Sequence, residues 1–182
     1  ILEYRPKHTL VDVDVAGKTL KFEFNDDLKA DVLNVLPNMR AGEIAVKTGL
    51  ATANKRWCEV DFLTHESVAA KHIHVLGDAI QVAPLMPKSG HMANQHGKVC
   101  AAAVVALLTD KKPNDGPIYN NTCYSFVSDE DVIHVASVHR YDAEKKTMLT
   151  VPGSGGISSA ANELEGRIAM GWARNIWADT LG

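Results

Sequence analysis

A strand, a loop and a helix in the middle of the chain carry the residue types that could hold a cofactor. The short apolar run of residues 73–76 predicts a buried strand that ends at Gly77 and Asp78. A loop with two prolines, residues 84–90, leads into an Ala- and Val-rich helix predicted over residues 92–108. The glycine lets a ligand approach the backbone, and the carboxylate suits sugar-type hydroxyl groups. Since the helix N-terminus adds free N–H groups, the pattern predicts a cofactor-binding unit.

Sulfur chemistry has three candidates, Cys58, Cys100 and Cys123. The odd count implies either a free thiol or a partner cysteine outside this chain. Cys100 lies among small residues of the predicted helix and is interpreted as a core residue, and Cys58, next to Trp57, is interpreted as structural or as a free thiol. Cys123 falls in a predicted strand, where the residue type alone leaves open both an inert buried thiol and a redox role.

The histidines do not predict a metal site. His72 with His74, and His91 with His96, are the two close pairs, but neither has a third ligand at a suitable spacing. We expect these side chains to face solvent or to form hydrogen bonds, and no metal is predicted. The chain also lacks a Ser/His/Asp esterase elbow and a Walker lysine loop.

Composition limits the classes of partner. The chain has 182 residues, of which 46% are hydrophobic, and this is enough for a core. Its net charge of −3 predicts no nucleic-acid binding. The longest apolar run, residues 99–108, is far shorter than the roughly 18 residues that a membrane-spanning helix needs, so no span is predicted.

Five short motifs resemble one family when they are taken together. They are His74-Val75-Leu76-Gly77-Asp78-Ala79, Met86-Pro87-Lys88-Ser89, Ala93-Asn94-Gln95, Lys98-Val99 and Asn121-Thr122-Cys123-Tyr124-Ser125. The combination is similar to the C-terminal half of the flavoprotein subunit of flavocytochrome c sulfide dehydrogenase, which belongs to the flavin-dependent disulfide-reductase group. The resemblance runs from about residue 34 to the last residue and so covers most of the chain.

The resemblance implies FAD as the cofactor of the intact protein. Asp78 would bind the ribityl chain of FAD. Lys88 and Ser89 would lie near the flavin pyrimidine, where donors and the helix dipole stabilise negative charge on the reduced ring. The implied cofactor-binding residues are Gly77, Asp78, Ala79, Met86, Pro87, Lys88 and Ser89.

The resemblance also implies two residues at the reacting centre. Cys123 would form a redox-active disulfide against the flavin with a cysteine from the N-terminal half of the protein, and sulfide would attack this disulfide. Trp172 would pack close to the isoalloxazine. The implied activity is the transfer of electrons from sulfide through the disulfide to FAD, and then to a c-type cytochrome subunit in the periplasm.

Two features of this family are absent from the sequence: the Gly-x-Gly-x-x-Gly turn that holds the adenosine diphosphate part of FAD, and the cysteine that anchors FAD covalently. We therefore expect a C-terminal fragment of a longer flavoprotein, with the missing N-terminal half as its partner. Alone, the fragment is expected to be inactive and free of flavin. Its exposed cofactor-facing surface would favour a homo-oligomer.

Two other interpretations stay open. The first is a related enzyme, either a sulfide:quinone reductase or a nicotinamide-dependent disulfide reductase. The charged residues of the last helix argue mildly against the membrane docking that a quinone enzyme requires. The second is a non-catalytic dimerisation or interaction module, in which the sheet after Pro117 only contacts partners.

The predicted fold class is mixed α/β, an α+β fragment that starts with the end of a nucleotide-type domain. Residues 1–36 resemble the tail of an NAD(P)-type middle domain. They hold a predicted hairpin, with strands over residues 9–15 and 18–24 around a two-residue turn at Ala16-Gly17. Residues 31–36 predict a buried strand. A β-hairpin followed by a buried strand is therefore expected in this part.

Residues 37–109 are interpreted as the C-terminal segment of the FAD-binding domain, in which the second FAD-binding strand–loop–helix lies. A short helix is predicted over residues 39–48, capped by Asn38 and closed by Gly49. A short strand is predicted over residues 57–62. The strand–loop–helix at residues 73–108 follows.

Residues 110–182 are interpreted as the family's C-terminal flavin-binding and interface domain, after a linker at residues 110–117. Three antiparallel strands are predicted over residues 121–127, 132–141 and 147–151, followed by a flexible break at residues 152–156. A last helix is predicted over residues 160–179. Its buried stripe is predicted to be Leu164, Ile168, Trp172 and Ile176.

Overall fold

The computed structural model describes residues 2–182. The chain divides into two compact units, Ile1–Asn38 and Met39–Gly182. Both candidate segments, the Gly-Asp turn and the region around Cys123, lie in the second unit. Within residues 2–182, no helix has the length and apolar character needed to cross a membrane.

The first unit is a three-stranded antiparallel sheet in the order β1-β2-β3. Its strands are β1 (Leu10–Asp14), β2 (Thr19–Phe22) and β3 (Leu28–Lys29). The predicted hairpin is present, but residues 15–18 connect it because Asp14 pairs with Thr19. The Gly17 N–H donates to the Asp14 carboxylate at 2.8 Å, and this side-chain contact explains why the turn is wider than two residues.

The buried strand predicted over residues 31–36 is wrong. The third strand ends at Lys29, and Val32 and Leu36 are 85% and 90% exposed. An apolar run forms a strand only where a neighbouring strand accepts and donates its hydrogen bonds. Here β2 is flanked by β1 and β3, and residues 31–36 pair with neither of these two edge strands.

The second unit has its main core between loops, a long helix and the C-terminal sheet. The buried residues of this core are Phe62, Ile80, Ala83, Met86, Met92, Tyr119 and Met148. A second, small cluster is formed by Ala41, Ala45 and Cys58. The short helix of this region is α1 (Glu43–Lys47). Gly42 precedes its first residue, so the helix begins four residues later than the predicted start at residue 39.

The strands predicted over residues 57–62 and 73–76 are also wrong. Only isolated bridges occur there, among them Cys58 with Ile80 and Glu66 with His74. Ile73 is 46% exposed and Leu76 is 41% exposed, so the second segment is not buried. Both segments contain apolar residues, but among residues 2–182 neither has a continuous neighbouring strand to form hydrogen bonds with its backbone N–H and C=O groups.

The long helix after the proline loop is confirmed as α2 (Gly90–Leu108). It begins two residues before the predicted start, because the Ser89 hydroxyl accepts the Met92 N–H at 3.1 Å and caps the helix. Met92, His96, Cys100 and Ala103 form its buried face. The helix lies against the Gly-Asp turn and against the first strand of the C-terminal sheet.

The predicted C-terminal antiparallel sheet is confirmed. It contains β4 (Ile118–Phe126), β5 (Val132–Asp142) and β6 (Thr147–Thr150). β4 and β5 pair continuously from Ile118 with Arg140 to Phe126 with Val132. The Lys145 N–H donates to the Asp142 carboxylate at 2.8 Å in the loop that leads to β6.

The flexible break predicted over residues 152–156 contains an ordered element. A short strand, β7 (Gly156–Ile157), pairs with β5. A Cβ built on Gly155 would lie 2.5 Å from the Ala136 carbonyl oxygen. The glycine is therefore required for close approach of this segment to β5.

The terminal helix is confirmed as α3 (Glu163–Leu181), but its predicted buried stripe is only partly right, because Trp172 and Ile176 are half-buried and the other two residues are exposed. Gly166 and Ala169 are the buried positions, whereas Leu164 and Ile168 are 58% and 51% exposed. A Cβ on Gly166 would overlap the carbonyl oxygen of Glu130. The small residues allow the helix to lie directly against the loop between β4 and β5, and this close contact sets which face is buried.

Candidate functional site

The Gly-Asp pair forms a tight 3-10 turn, Gly77–Ala79, against the long helix. Gly77 has a φ of 68°, the left-handed conformation that favours glycine. A Cβ at this position would lie 3.3 Å from the Cβ of Ala93 on α2. The glycine thus gives the turn its direction and lets it approach the helix.

Asp78 is exposed, and its carboxylate forms no cap to its own turn. The turn is held by its backbone instead. Lys88 Nζ donates to the carbonyl oxygen of Asp78 at 2.8 Å and to that of Ile80 at 2.6 Å. The carboxylate of Asp78 is therefore left at the surface, where it could accept hydrogen bonds from the hydroxyl groups of a ligand.

Lys88 ties the proline loop to this turn. Besides its two carbonyl contacts, its ammonium lies 3.7 Å from the ring centroid of Trp57. Burial lowers the pKa of Lys88, although Asp78 opposes this effect. Since the ammonium is engaged by the protein, its predicted contact with a flavin pyrimidine stays a prediction.

Two of the other predicted cofactor contacts are packed inside the protein. Met86 is 4% exposed and belongs to the main core. Ala79 packs against the small cluster around Cys58. Pro87 is half-buried. In this structure these three residues shape the backbone of the turn and loop, and their role as FAD contacts stays a prediction.

The N-terminus of α2 is joined to β4 by buried polar side chains. Ser89 Oγ donates to Asn121 Oδ1 at 2.5 Å, and Asn121 is only 4% exposed. Asn121 Nδ2 lies 3.5 Å from Cys123 Sγ. The predicted residues Ser89 and Cys123 are therefore brought together through an asparagine that the sequence motif contains but that no prediction singled out.

Cys123 and Trp172 line one open groove of about 300 Å³ between the start of α2, β4 and α3. Its walls are Ser89, Gly90, His91, Thr122, Cys123, Tyr124, Phe126, Ala169, Met170, Trp172 and Ala173. Of the nine predicted site residues, Ser89, Cys123 and Trp172 meet in this groove. We call it the Cys123 groove.

Aromatic rings form one side of the Cys123 groove. The Trp172 ring lies 5.4 Å from the ring of His91 and 5.6 Å from that of Tyr124, measured between centroids. Trp172 Nε1 is buried and has no hydrogen-bond partner among the described residues. A buried indole N–H without an acceptor is costly unless a ligand or water completes it.

His91 is a groove residue that sequence reasoning placed in solvent or in an unspecified hydrogen bond. Its Nδ1 accepts the Thr122 N–H at 3.0 Å, and this N–H lies on the outer edge of β4. Burial lowers the pKa of His91. The ring is therefore neutral near pH 7, with its proton on Nε2. The one signal in the sequence that could have indicated a place for His91 in the groove is that it directly follows the proline loop, residues 84–90.

Behind the groove, a second polar cluster joins β5 to α3. His134 Nδ1 lies 3.0 Å from Ser158 Oγ and 2.8 Å from Glu165 Oε2, and the Ser158 hydroxyl donates to the same carboxylate at 2.6 Å. Hydrogen bonds from Ser158 and His134 lower the pKa of Glu165. A catalytic triad needs the serine and the acid on opposite ring nitrogens, so this cluster is structural.

The other two cysteines lie away from the Cys123 groove. Cys58 is 0% exposed and Cys100 is 7% exposed, and burial raises the pKa of both thiols. This burial agrees with a structural role for each of the two cysteines. Within residues 2–182, no group of three or more His, Cys, Asp or Glu side chains is arranged to hold a metal ion.

One comparison with known proteins bears on the groove. The family model described as "Flavocytochrome c sulphide dehydrogenase, flavin-binding" matches residues 115–181. The match includes β4, β5, β6, β7 and α3, and so contains Cys123 and Trp172. The Gly-Asp turn and α2 precede the matched region. Residues 115–181 of this chain are therefore similar to the flavin-binding domain of flavocytochrome c sulphide dehydrogenase.

Proposed function

We propose that this chain is the C-terminal part of a periplasmic flavoprotein that oxidises sulfide and passes the electrons through FAD to a c-type cytochrome. One observation carries the proposal: Cys123 and Trp172 line the same groove in a segment that matches a flavin-binding family. The groove also meets the capped N-terminus of α2 at Ser89.

The residues of the Cys123 groove fit a planar ring system with polar edges. Trp172 and Tyr124 offer aromatic surfaces for stacking, and the buried Trp172 Nε1 lacks an acceptor. The amides of Gly90 and His91 precede the first intrahelical hydrogen bond, which runs from Ala93 to Ser89, and they add donors at the positive end of the helix dipole. When bound, FAD supplies an acceptor for two electrons.

Cys123 is suited to the sulfur step. It is half-buried, and Asn121 Nδ2 at 3.5 Å can donate to a thiolate on its sulfur. In the proposed reaction, HS⁻ attacks the second sulfur of a disulfide between Cys123 and a cysteine outside this chain. A new S–S bond forms, the old one breaks, and its electron pair stays on Cys123 as a thiolate.

The remaining groove residues hold this arrangement. The Ser89 hydroxyl orients Asn121, and the orientation of Asn121 sets which of its atoms faces the sulfur. The Thr122 N–H fixes His91 as the tautomer with a proton on Nε2, so His91 can act as a neutral donor. Asp78 is proposed to bind the ribityl hydroxyl groups from its exposed position on the turn.

The test is Cys123→Ser in the full-length flavoprotein. We expect FAD to stay bound and its reduction by sulfide to be lost, because the disulfide cannot form. Cys100→Ser is the matched control, since this cysteine lies buried on α2 outside the groove, and it should keep the reaction. Reduction of the flavin by sulfide at the wild-type rate in Cys123→Ser would contradict the proposal. Subsequent reduction of added cytochrome c tests the last transfer.

A further inference from the structure

Two buried histidines lie beneath the Gly-Asp turn and have no part in the sulfur chemistry. His65 is 0% exposed and His96 is 1% exposed, and their ring centroids are 4.7 Å apart. Tyr119, also fully buried, lies against both rings. The three side chains come from a loop, from α2 and from β4, so they join the elements that surround the turn.

The hydrogen bonds of Tyr119 define the tautomer of His65. The Tyr119 hydroxyl donates to the carbonyl oxygen of Phe62 at 2.8 Å, so its proton is used. His65 Nε2 lies 2.9 Å from the same hydroxyl and must be the donor there. In the neutral ring, His65 Nδ1 is then an acceptor, and it has no partner among the described residues.

His96 has the complementary arrangement. Its Nδ1 accepts the N–H of Gly77 at 3.2 Å, so the proton of the neutral ring is on Nε2. His96 Nε2 is buried and also lacks a partner. One ring therefore has an unused acceptor, and the neighbouring ring has an unused donor.

Both rings are neutral near pH 7. Burial lowers the pKa of His65 to about 4 and that of His96 to about 3. The charged or titratable neighbours that act on the pair are Asp61, His74 and Lys88. Because the Gly77 N–H needs the lone pair on His96 Nδ1, only the neutral ring can hold the turn in this way.

We propose that His96 is a positioning residue for the Gly77–Asp78 turn, and that His65 and Tyr119 hold its ring in place by packing against it. The turn is then held from three directions. His96 binds its first amide, Lys88 binds its carbonyl oxygens, and Ala93 lies below Gly77. The carboxylate of Asp78 is left facing outward in one fixed position. That this position serves the ribityl chain of FAD rests on the function proposed above.

The experiment compares two amide substitutions that differ in where they place an acceptor. The side-chain oxygen of His96→Asn takes the place of Nδ1, whereas the amide of His96→Gln reaches the position of Nε2. In full-length protein with ¹⁵N-labelled glycine, hydrogen exchange of the Gly77 amide should stay within about twofold of wild type in His96→Asn. It should become about tenfold faster in His96→Gln, as expected for loss of one buried hydrogen bond. Thermal unfolding of both variants controls for loss of the fold.

The second measurement is the affinity for FAD of the flavin-free full-length protein. We expect His96→Gln to bind FAD about tenfold more weakly and His96→Asn to bind it nearly as wild type. Equal exchange of the Gly77 amide in wild type and both variants would overturn the positioning role. A change in exchange without a change in FAD affinity would support that role and overturn instead the proposed contact of Asp78 with FAD.

The tautomers can be read in the wild-type protein without any substitution. Long-range ¹H–¹⁵N spectra of labelled histidine should show His96 protonated on Nε2, with Nδ1 accepting a hydrogen bond. Protonation of His96 on Nδ1 would overturn the proposal, because that ring could not accept the Gly77 N–H.

Discussion

Two regions of the second unit are held together in different ways. The C-terminal sheet segment, residues 118–181, relies on a continuous β4–β5 ladder and on close contact between α3 and the loop before β5. The loop segment, residues 50–89, has only isolated bridges and is held by buried side chains that bind backbone atoms. The proposed sulfur centre lies in the first region and the proposed ribityl contact in the second. The periodicity of the sequence can therefore predict the strands of the first region, whereas the structure of the second region depends on tertiary contacts.

The substitution expected to destabilise the C-terminal sheet segment most is Gly166→Ala. The added Cβ would overlap the carbonyl oxygen of Glu130, so α3 must move away from the loop between β4 and β5. We expect the free energy of unfolding to fall by about 3 kcal/mol, as for strong overpacking. Chemical denaturation measures it.

Gly171→Ala is the matched control for Gly166→Ala, because it lies on the same helix and a Cβ there meets nothing within 4 Å. This change should raise the free energy of unfolding by roughly 0.5–1 kcal/mol through helix propensity. If both substitutions stabilised the protein alike, the close contact at Gly166 would be wrong.

The corresponding change for the loop segment is Tyr119→Phe, because this β4 side chain reaches Phe62 and His65 of the loop segment. It removes the hydroxyl that donates to Phe62 and accepts from His65, and it leaves two buried polar groups without partners. We expect a loss of about 2 kcal/mol in the free energy of unfolding. Tyr141→Phe on β5 serves as the control and should change stability much less. Equal effects of the two substitutions would show that the buried hydrogen bonds do not hold this region.

The pH dependence of stability sharpens the comparison. Burial lowers the pKa of His96 to about 3 and that of His65 to about 4, from an ordinary value of 6.5. Unfolding therefore takes up protons below pH 6.5, and the stabilising contribution present above that pH is lost as pH falls. We expect the two rings together to lower the free energy of unfolding by about 1 kcal/mol between pH 7 and pH 6.

Denaturant titrations at several pH values measure this slope, and His96→Asn should reduce it. Burial also lowers the pKa of His139 in the C-terminal sheet segment, so part of the slope will remain in that variant. His72→Asn changes an exposed ring and is the control. An identical slope in wild type and His96→Asn would contradict the neutral buried state of His96.

The elements that were predicted correctly depend on short-range signals. Ser89 marks the start of α2 because a serine hydroxyl can accept an N–H of the first helical turn. Asp142 marks the loop between β5 and β6, where it accepts the Lys145 N–H. The C-terminal strands pair with their sequence neighbours, so alternation along each strand was enough to predict them.

The elements that were missed depend on distant partners. Residues 73–76 have the composition of a buried strand but no continuous strand to pair with. The predicted stripe of α3 followed its large apolar residues, whereas Gly166 and Ala169 decide the buried face because they allow close approach. Asn121 and His96 could not be singled out, since a buried polar side chain is recognised only by the atoms it contacts.

Cys123 is proposed to be the redox sulfur, and differential alkylation of oxidised full-length protein tests this assignment. We expect no labelling of Cys123 before reduction, followed by labelling after brief treatment with sulfide. Cys58 and Cys100 should be labelled only after unfolding, whether or not the protein is reduced, because both are buried thiols. Labelling of Cys123 in the oxidised protein without any reductant would show that Cys123 does not form the redox disulfide.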